Sequence, residues 1–89
     1  MAGYELRVAA SADRMLARLP ESAAAAVVEF MTGPLLDNPH RVGRPLMLEL
    51  ADHFSARRGA YRVVYLIDDS TRVVRVVRID HRADVYRSR

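Results

Sequence analysis

Cysteine and lysine are both missing from this 89-residue chain, and each absence narrows its chemistry. There is no cysteine, so disulfides, thiol nucleophiles and zinc–thiolate sites are excluded, and a reducing compartment is the natural setting. There is no lysine: all fourteen positions counted as Lys or Arg are arginine. No side-chain amine can therefore act as proton acceptor or Schiff-base nucleophile, while every cation offers a planar fork that binds phosphate in bidentate fashion and stacks on bases. GC-rich coding accounts for the same preference, but the physical consequence is unchanged. Long apolar runs are also missing, and none approaches the ~20 residues that a membrane-spanning helix needs. The opening MAGYELRV lacks the apolar core of a signal peptide. These absences lead to the expectation of a cytoplasmic protein with no membrane partner. No phosphate-binding glycine loop occurs. The three histidines, His40, His53 and His81, are scattered and the carboxylates lack ligand-like spacing, so neither a metal nor another cofactor is expected.

What is present is ordinary for a globular chain: 51% hydrophobic residues, 28% charged residues and a formal net charge of +3. The length predicts one domain, residues 1–89, burying about 60–65% of its unfolded surface. Tyr4–Ala9 alternates apolar and polar residues, which predicts a strand. Ser11 stands where a helix N-cap belongs, with Asp13 in the first turn, and Ala12, Met15, Leu16 and Leu19 share one helical face. Pro20 suits the first turn of a second helix over Glu21–Thr32, with Ala24, Val27, Val28 and Met31 as its apolar stripe. Gly33-Pro34 reads as its stop, with the glycine in a left-handed cap. Leu35–Pro45 is a connection rich in turn residues, and Leu46, Leu48 and Leu50 form either a short strand or an extended entry into one.

The stretch from Phe54 to Tyr86 carries the densest arginine content and the most strand-like composition. A turn at or near Arg58-Gly59 precedes a strand over Ala60–Ile67; Asp68-Asp69-Ser70 is a second turn, and Arg72–Asp80 the last strand. The pattern predicts an α+β fold: an N-terminal strand and an antiparallel helix hairpin packed on one face of a mainly antiparallel four-stranded sheet. Within Ala60–Ile67 one face carries Tyr61, Val63, Tyr65 and Ile67, the other Arg62, Val64 and Leu66. An arginine set into such a strand is either a phosphate ligand or a surface residue that pairs with a carboxylate such as Asp80 or lies over apolar surface. A two-residue turn at Asp69-Ser70 puts Arg62 on the face of Val77, Ile79 and His81. An odd loop puts it beside Arg78 and Arg82. Alternation alone does not choose.

Two segments, SARRGAYRVVYLID at Ser55–Asp68 and IDHRADVY at Ile79–Tyr86, resemble the RelE/ParE superfamily of bacterial toxins. The upstream LPESAAAAVVEFMTGPLLDNPHRVGRPL resembles the helical half of its RelE branch. The resemblance implies the RelE-like fold and the toxin role in a type II toxin–antitoxin pair. It implies a ribosome-dependent endoribonuclease acting on mRNA, with a cognate antitoxin as partner in a hetero-oligomer. Arg62 matches the strand arginine used on the scissile phosphate, Arg82 the second catalytic arginine, Tyr86 the active-site tyrosine, and Arg57 a basic residue of the same groove. Arg58 and His53 are further candidates for substrate binding. Some relatives place two lysines before the first hairpin turn, where this chain has His53-Phe54-Ser55; the short stretch after Tyr86 leaves no room for the further C-terminal helix of some members.

The implied chemistry needs neither metal nor water. The ribose 2′-OH attacks the adjacent phosphorus, the 5′-oxygen leaves, and a 2′,3′-cyclic phosphate forms. The catalyst must neutralise the phosphorane charge, remove one proton and donate another. Guanidinium forks suit the first task. Arginine is a poor base, so His81 is the candidate for proton transfer, with His53 and Tyr86 as rivals. The plain alternatives are a structural hydrogen bond for His81 and packing on the sheet for Tyr86. Two other functions share the resemblance: a ParE-like gyrase inhibitor without chemistry of its own, and an inactive member that only binds antitoxin. The resemblance further implies an antitoxin that wraps the toxin with an amphipathic helix or strand, acidic to suit the net charge.

Overall fold

The structure is a computed structural model that describes residues 3–46 and 52–81. In order it contains β1 (Glu5–Val8), α1 (Ala10–Ala17), α2 (Glu21–Thr32), the single helical turns α3 (Pro34–Asp37) and α4 (Pro39–Val42), β2 (Arg44–Pro45), β3 (Phe54–Arg58), β4 (Tyr61–Asp68) and β5 (Val73–His81). The strands form one sheet in the order β1-β5-β4-β3-β2. β1 runs parallel to β5, and every other pairing is antiparallel.

The expected α+β layering holds, with a fifth strand added. β2 comes from the segment read as a connection; it pairs Arg44 with Ser55 and Pro45 with Phe54. A two-residue ladder is too short to show alternation, and proline is tolerated because this is an edge. The same segment also supplies α3 and α4, each too short for a helical period to be visible. Of the leucines Leu46, Leu48 and Leu50, only Leu46 lies among the described residues; its N–H bonds the His53 carbonyl at 2.8 Å.

The core lies between the helices and one face of the sheet. Val63, Tyr65, Val74, Val76 and Ile79 from the sheet meet Ala12, Val27, Phe30, Met31 and Leu35, all nearly inaccessible to solvent. Burying such side chains stabilises by about 1.5–3 kcal/mol each. The apolar face expected for α1 does pack inward. On α2 the inward stripe is Val27, Phe30 and Met31, while Val28 is 39% exposed. Val27 holds the inward position, and a residue one step further round lies about 100° away.

Three expected helix signals differ. Ala9, not Ser11, is the N-cap of α1; Ser11 sits inside the first turn and its hydroxyl donates to the Val77 carbonyl at 3.0 Å. Pro20 is the N-cap of α2 rather than part of its first turn, and its carbonyl accepts the Ala24 N–H. Gly33 has φ −121°, so no left-handed cap forms, and the chain enters α3 directly.

Both hairpin turns fall where the sequence puts them. Gly59, at φ +61°, is the first of two loop residues between paired Arg58 and Tyr61, the position that a II′ hairpin reserves for glycine. Between β4 and β5 the paired ends are Asp68 and Val73, so the loop has four residues. Asp68 Oδ1 closes it by accepting from the Ser70 N–H, the Ser70 hydroxyl and the Thr71 N–H. These bonds, that from the Ser70 hydroxyl foremost, lower the Asp68 carboxyl below its usual value.

The β4–β5 register departs from both simple alternatives. The loop is even, yet Arg62 pairs with Asp80 and Val64 with Arg78, because the ladder slips at Val64/Tyr65 and leaves Val77 as an extra residue on β5. This bulge reverses the facing of everything beyond it. Its carbonyls anchor the start of α1: Val76 accepts the Ala9 N–H at 2.8 Å, and Val77 accepts from Ser11.

Candidate functional site

Register now fixes which arginines can meet. Directly paired residues on antiparallel strands project on the same side. Arg57 pairs with Arg62, Ser55 with Val64, and Arg44 with Ser55, so Arg44, Arg57 and Arg62 share the sheet face turned away from the helices. They line a cleft of about 760 Å³ together with Arg41 from α4, among walls that include Val42, Pro45 and Leu46. Val64, only 3% exposed, lies beside them on this face.

The electrostatics are one-sided. No carboxylate occurs among the described residues lining the cleft. The nearest in register is Asp80, the cross-strand neighbour of Arg62. Asp80 is engaged by Arg78, whose Nε donates to it at 2.9 Å. The alternative reading of Arg62, an ion pair with Asp80, is therefore not what forms. Among the described residues none of Arg41, Arg44, Arg57 and Arg62 has an ion-pair partner. Clustered like charge raises the energy of the empty cleft and favours a bound polyanion.

The other sequence candidates divide sharply. Arg58, next to Arg57, belongs to the helix-facing side, where its guanidinium lies 5.1 Å above the Phe30 ring. It packs there instead of joining the cleft. His81 pairs with Tyr61, and their rings meet edge to face at 5.2 Å. That also puts His81 on the side opposite Arg62, because the Val77 bulge reverses the phase that would have joined them. His53 precedes β3; its Nδ1 is buried and has no hydrogen-bond partner among the described residues. Arg82 and Tyr86 lie outside the described residues. Arg41 and Arg44 are cleft residues that the sequence reading missed. Their only signal was a pair of arginines flanking Gly43 in a segment read as a loop.

The wall carrying Arg41 and Arg44 is held from behind. The buried Tyr65 hydroxyl donates to the Pro39 carbonyl at 2.7 Å, and burial pushes its pKa up to about 12. Gly43 passes so close that a Cβ there would collide with the Tyr65 hydroxyl and lie 2.9 Å from the Ser55 carbonyl. His40 contacts both oxygens of Asp69 at 3.0 Å, and Tyr4 donates to the same carboxylate at 2.6 Å. The Tyr4 bond first, then that of His40, holds Asp69 below the usual carboxylate value, while the same contact raises Tyr4. Arg72, in the left-handed region at φ 59°, caps this group by lying 4.3 Å over the Tyr4 ring.

An α+β fold with an arginine cleft on the open face of its sheet agrees with what comparison finds. A family model described as the ParE toxin of the type II toxin–antitoxin system matches residues 6–86. Toxin RelE of Mycobacterium tuberculosis is 54% identical over 84 residues, covering 94% of this chain and 87% of that protein. Toxin RelG of the same organism is also 54% identical over 84 residues, covering 94% of this chain and 97% of its own length. The toxin chain matched in the solved RelBE2 toxin–antitoxin complex of M. tuberculosis is 52% identical, with a TM-score of 0.88 over 94% of this chain and 97% of that one. The chain belongs to the ParE toxin family within the RelE/ParE superfamily, the toxins of type II toxin–antitoxin systems.

Proposed function

We propose that this toxin is an mRNA endoribonuclease whose Arg57–Arg62 pair holds the scissile phosphodiester during attack by the neighbouring 2′-OH. The observation that carries the reading is the pairing itself: two guanidiniums abreast on one face, in a cleft without an acidic neighbour among its described lining. Their part is electrostatic. They stay charged throughout, and their forks are aimed at the oxygens on which negative charge grows as the phosphorane forms. The new bond joins the 2′-oxygen to phosphorus, the bond to the 5′-oxygen breaks, one proton leaves the 2′-OH and one reaches the 5′-oxygen. By family resemblance Arg82 supplies a third guanidinium and Tyr86 a ring for the substrate nucleotide. The geometry favours a role for His81 outside this chemistry.

A small domain with net charge +3 binds RNA mainly through salt-sensitive phosphate contacts, so selectivity falls to the ribosome that presents the strand. The matched toxin of M. tuberculosis was solved in complex with its antitoxin. We extend that to this chain: a cognate antitoxin, acidic to suit the cleft, neutralises it in a hetero-oligomer in the cytoplasm.

The family description names ParE, which supports gyrase poisoning as the second reading. Primer extension on a translated message separates the two. Cuts within codons, falling about 100- to 1000-fold in Arg62→Ala as for loss of one transition-state donor, support the nuclease. An intact message with a supercoiling defect overturns it in favour of gyrase.

A further inference from the structure

The cleft is larger than the chemistry assigned to it. A single phosphodiester meets Arg57 and Arg62, yet the cavity measures about 760 Å³ and carries two more guanidiniums, Arg41 and Arg44, on its far wall. Such a volume lies in the range of sites that enclose a whole small-molecule ligand rather than one charged group. We infer that Arg41 and Arg44 form a second anion subsite, which takes the phosphate next to the scissile one on a single RNA strand. The inference rests on the reading of the Arg57–Arg62 pair given above and adds the register of the substrate.

Three observations support it. Arg44 stands opposite Ser55, two positions before Arg57 on β3, so the two arginines are offset by roughly 6–7 Å along the strand direction. That offset is of the order of one backbone repeat of an extended nucleotide strand, not of the two oxygens of one phosphate. Second, the wall is built rather than loose. The Tyr65–Pro39 hydrogen bond, the His40–Asp69 contact and the close passage of Gly43 fix the turn that carries Arg41 and the strand that carries Arg44. Third, neither arginine has an ion-pair partner among the described residues, so nothing there competes with an anion. Beside the arginines the lining turns apolar at Val42, Pro45 and Leu46, a surface suited to a ribose or a base edge rather than to a third phosphate. The subsite would align the strand by its backbone and leave base choice to other contacts.

The test uses the full-length toxin and 2′-deoxy oligonucleotides, which cannot be cleaved by 2′-OH attack, carrying either one or two internucleotide phosphates. In the wild type the second phosphate should tighten binding at least about tenfold, the effect of one charge-assisted bidentate contact. In the double variant Arg41→Gln/Arg44→Gln the ratio of the two affinities should fall to within about twofold, and the salt slope for the longer ligand should drop by about 0.7, one single-strand phosphate. Arg44→Lys, which keeps the charge but loses the fork, should retain part of the ratio. The subsite is overturned if the wild type shows no gain from the second phosphate, or if the folded double variant keeps it, checked by an unchanged melting temperature. Failure of the underlying reading looks different: Arg62→Ala would then bind the one-phosphate ligand as tightly as the wild type does.

Discussion

The two faces of the β3–β4–β5 sheet are made from the same residue types and do opposite work. On the helix-facing side, Arg58 lies on the Phe30 ring and His81 against Tyr61, so a cation and an imidazole have become packing groups. On the open side, Arg57 and Arg62 sit one residue away from Arg58 and Tyr61 along the chain and face a cleft lined by more arginine. The difference lies not in the side chains but in the parity of their positions. A guanidinium over an aromatic ring is a stability element worth about 0.5–1 kcal/mol when exposed. The same group beside three others without a carboxylate is poised for a ligand.

Four measurements would sharpen or break this division. The largest effect should come from Ile79→Ala, which empties a fully buried position on the helix-facing side. Chemical denaturation should show a loss of about 2–5 kcal/mol, with the proposed RNA cleavage by the folded fraction little changed. Gly43→Ala comes next, and it should disturb both faces at once. The added methyl collides with Tyr65 behind the wall and with the Ser55 backbone, so about 1–3 kcal/mol of stability should go together with cleft affinity. A variant with normal RNA affinity would show that the wall does not depend on this close approach.

Alkaline titration should report the buried Tyr65, whose hydroxyl backs the cleft wall through Pro39. Tyr65 has its pKa raised by burial from 10.0 to about 12, so its contribution is complete below pH 10 and is lost as pH rises towards 12. A decline of about 1–2 kcal/mol across that window, clearly reduced in Tyr65→Phe, is the expected outcome. The smallest effect belongs to Arg58→Ala: about 0.5–1 kcal/mol in melting experiments and no change in cleavage, in contrast to Arg62→Ala. A large loss of cleavage in Arg58→Ala would break the division between the faces.

Much of this architecture was legible in the residues. The glycine of the first hairpin, the aspartate that closes the second and the alternation from Tyr61 to Ile67 are local signals, and they hold in the structure. The pairing of Arg57 with Arg62 was not legible: a turn placed only at or near Arg58-Gly59 leaves the register open, and the two-residue loop Gly59-Ala60 sets it. What alternation could not show was the Val77 bulge. Its phase change depends on contacts with Ala9 and Ser11 more than sixty positions away, and no local window contains both ends. Missing the bulge left the sides of Asp80 and His81 undecided. Arg41 and Arg44 were missed for a related reason: α4 and β2 are too short to declare a period, and tertiary contacts to Tyr65 and Asp69 hold them in place.

The carboxylate of Asp69 has a reach that its position at a hairpin tip conceals. It grips His40, and His40 is covalently joined to Arg41 within one helical turn. The tip of the β4–β5 hairpin thus acts as a tether on the opposite rim of the cleft, with Tyr4 as the second strand of the knot. Because Asp69 is held below the usual carboxylate value, its charge persists at neutral pH, and its share of the tether is lost as acid titrates it. A substitution far from any phosphate can therefore retune how the cleft is held open.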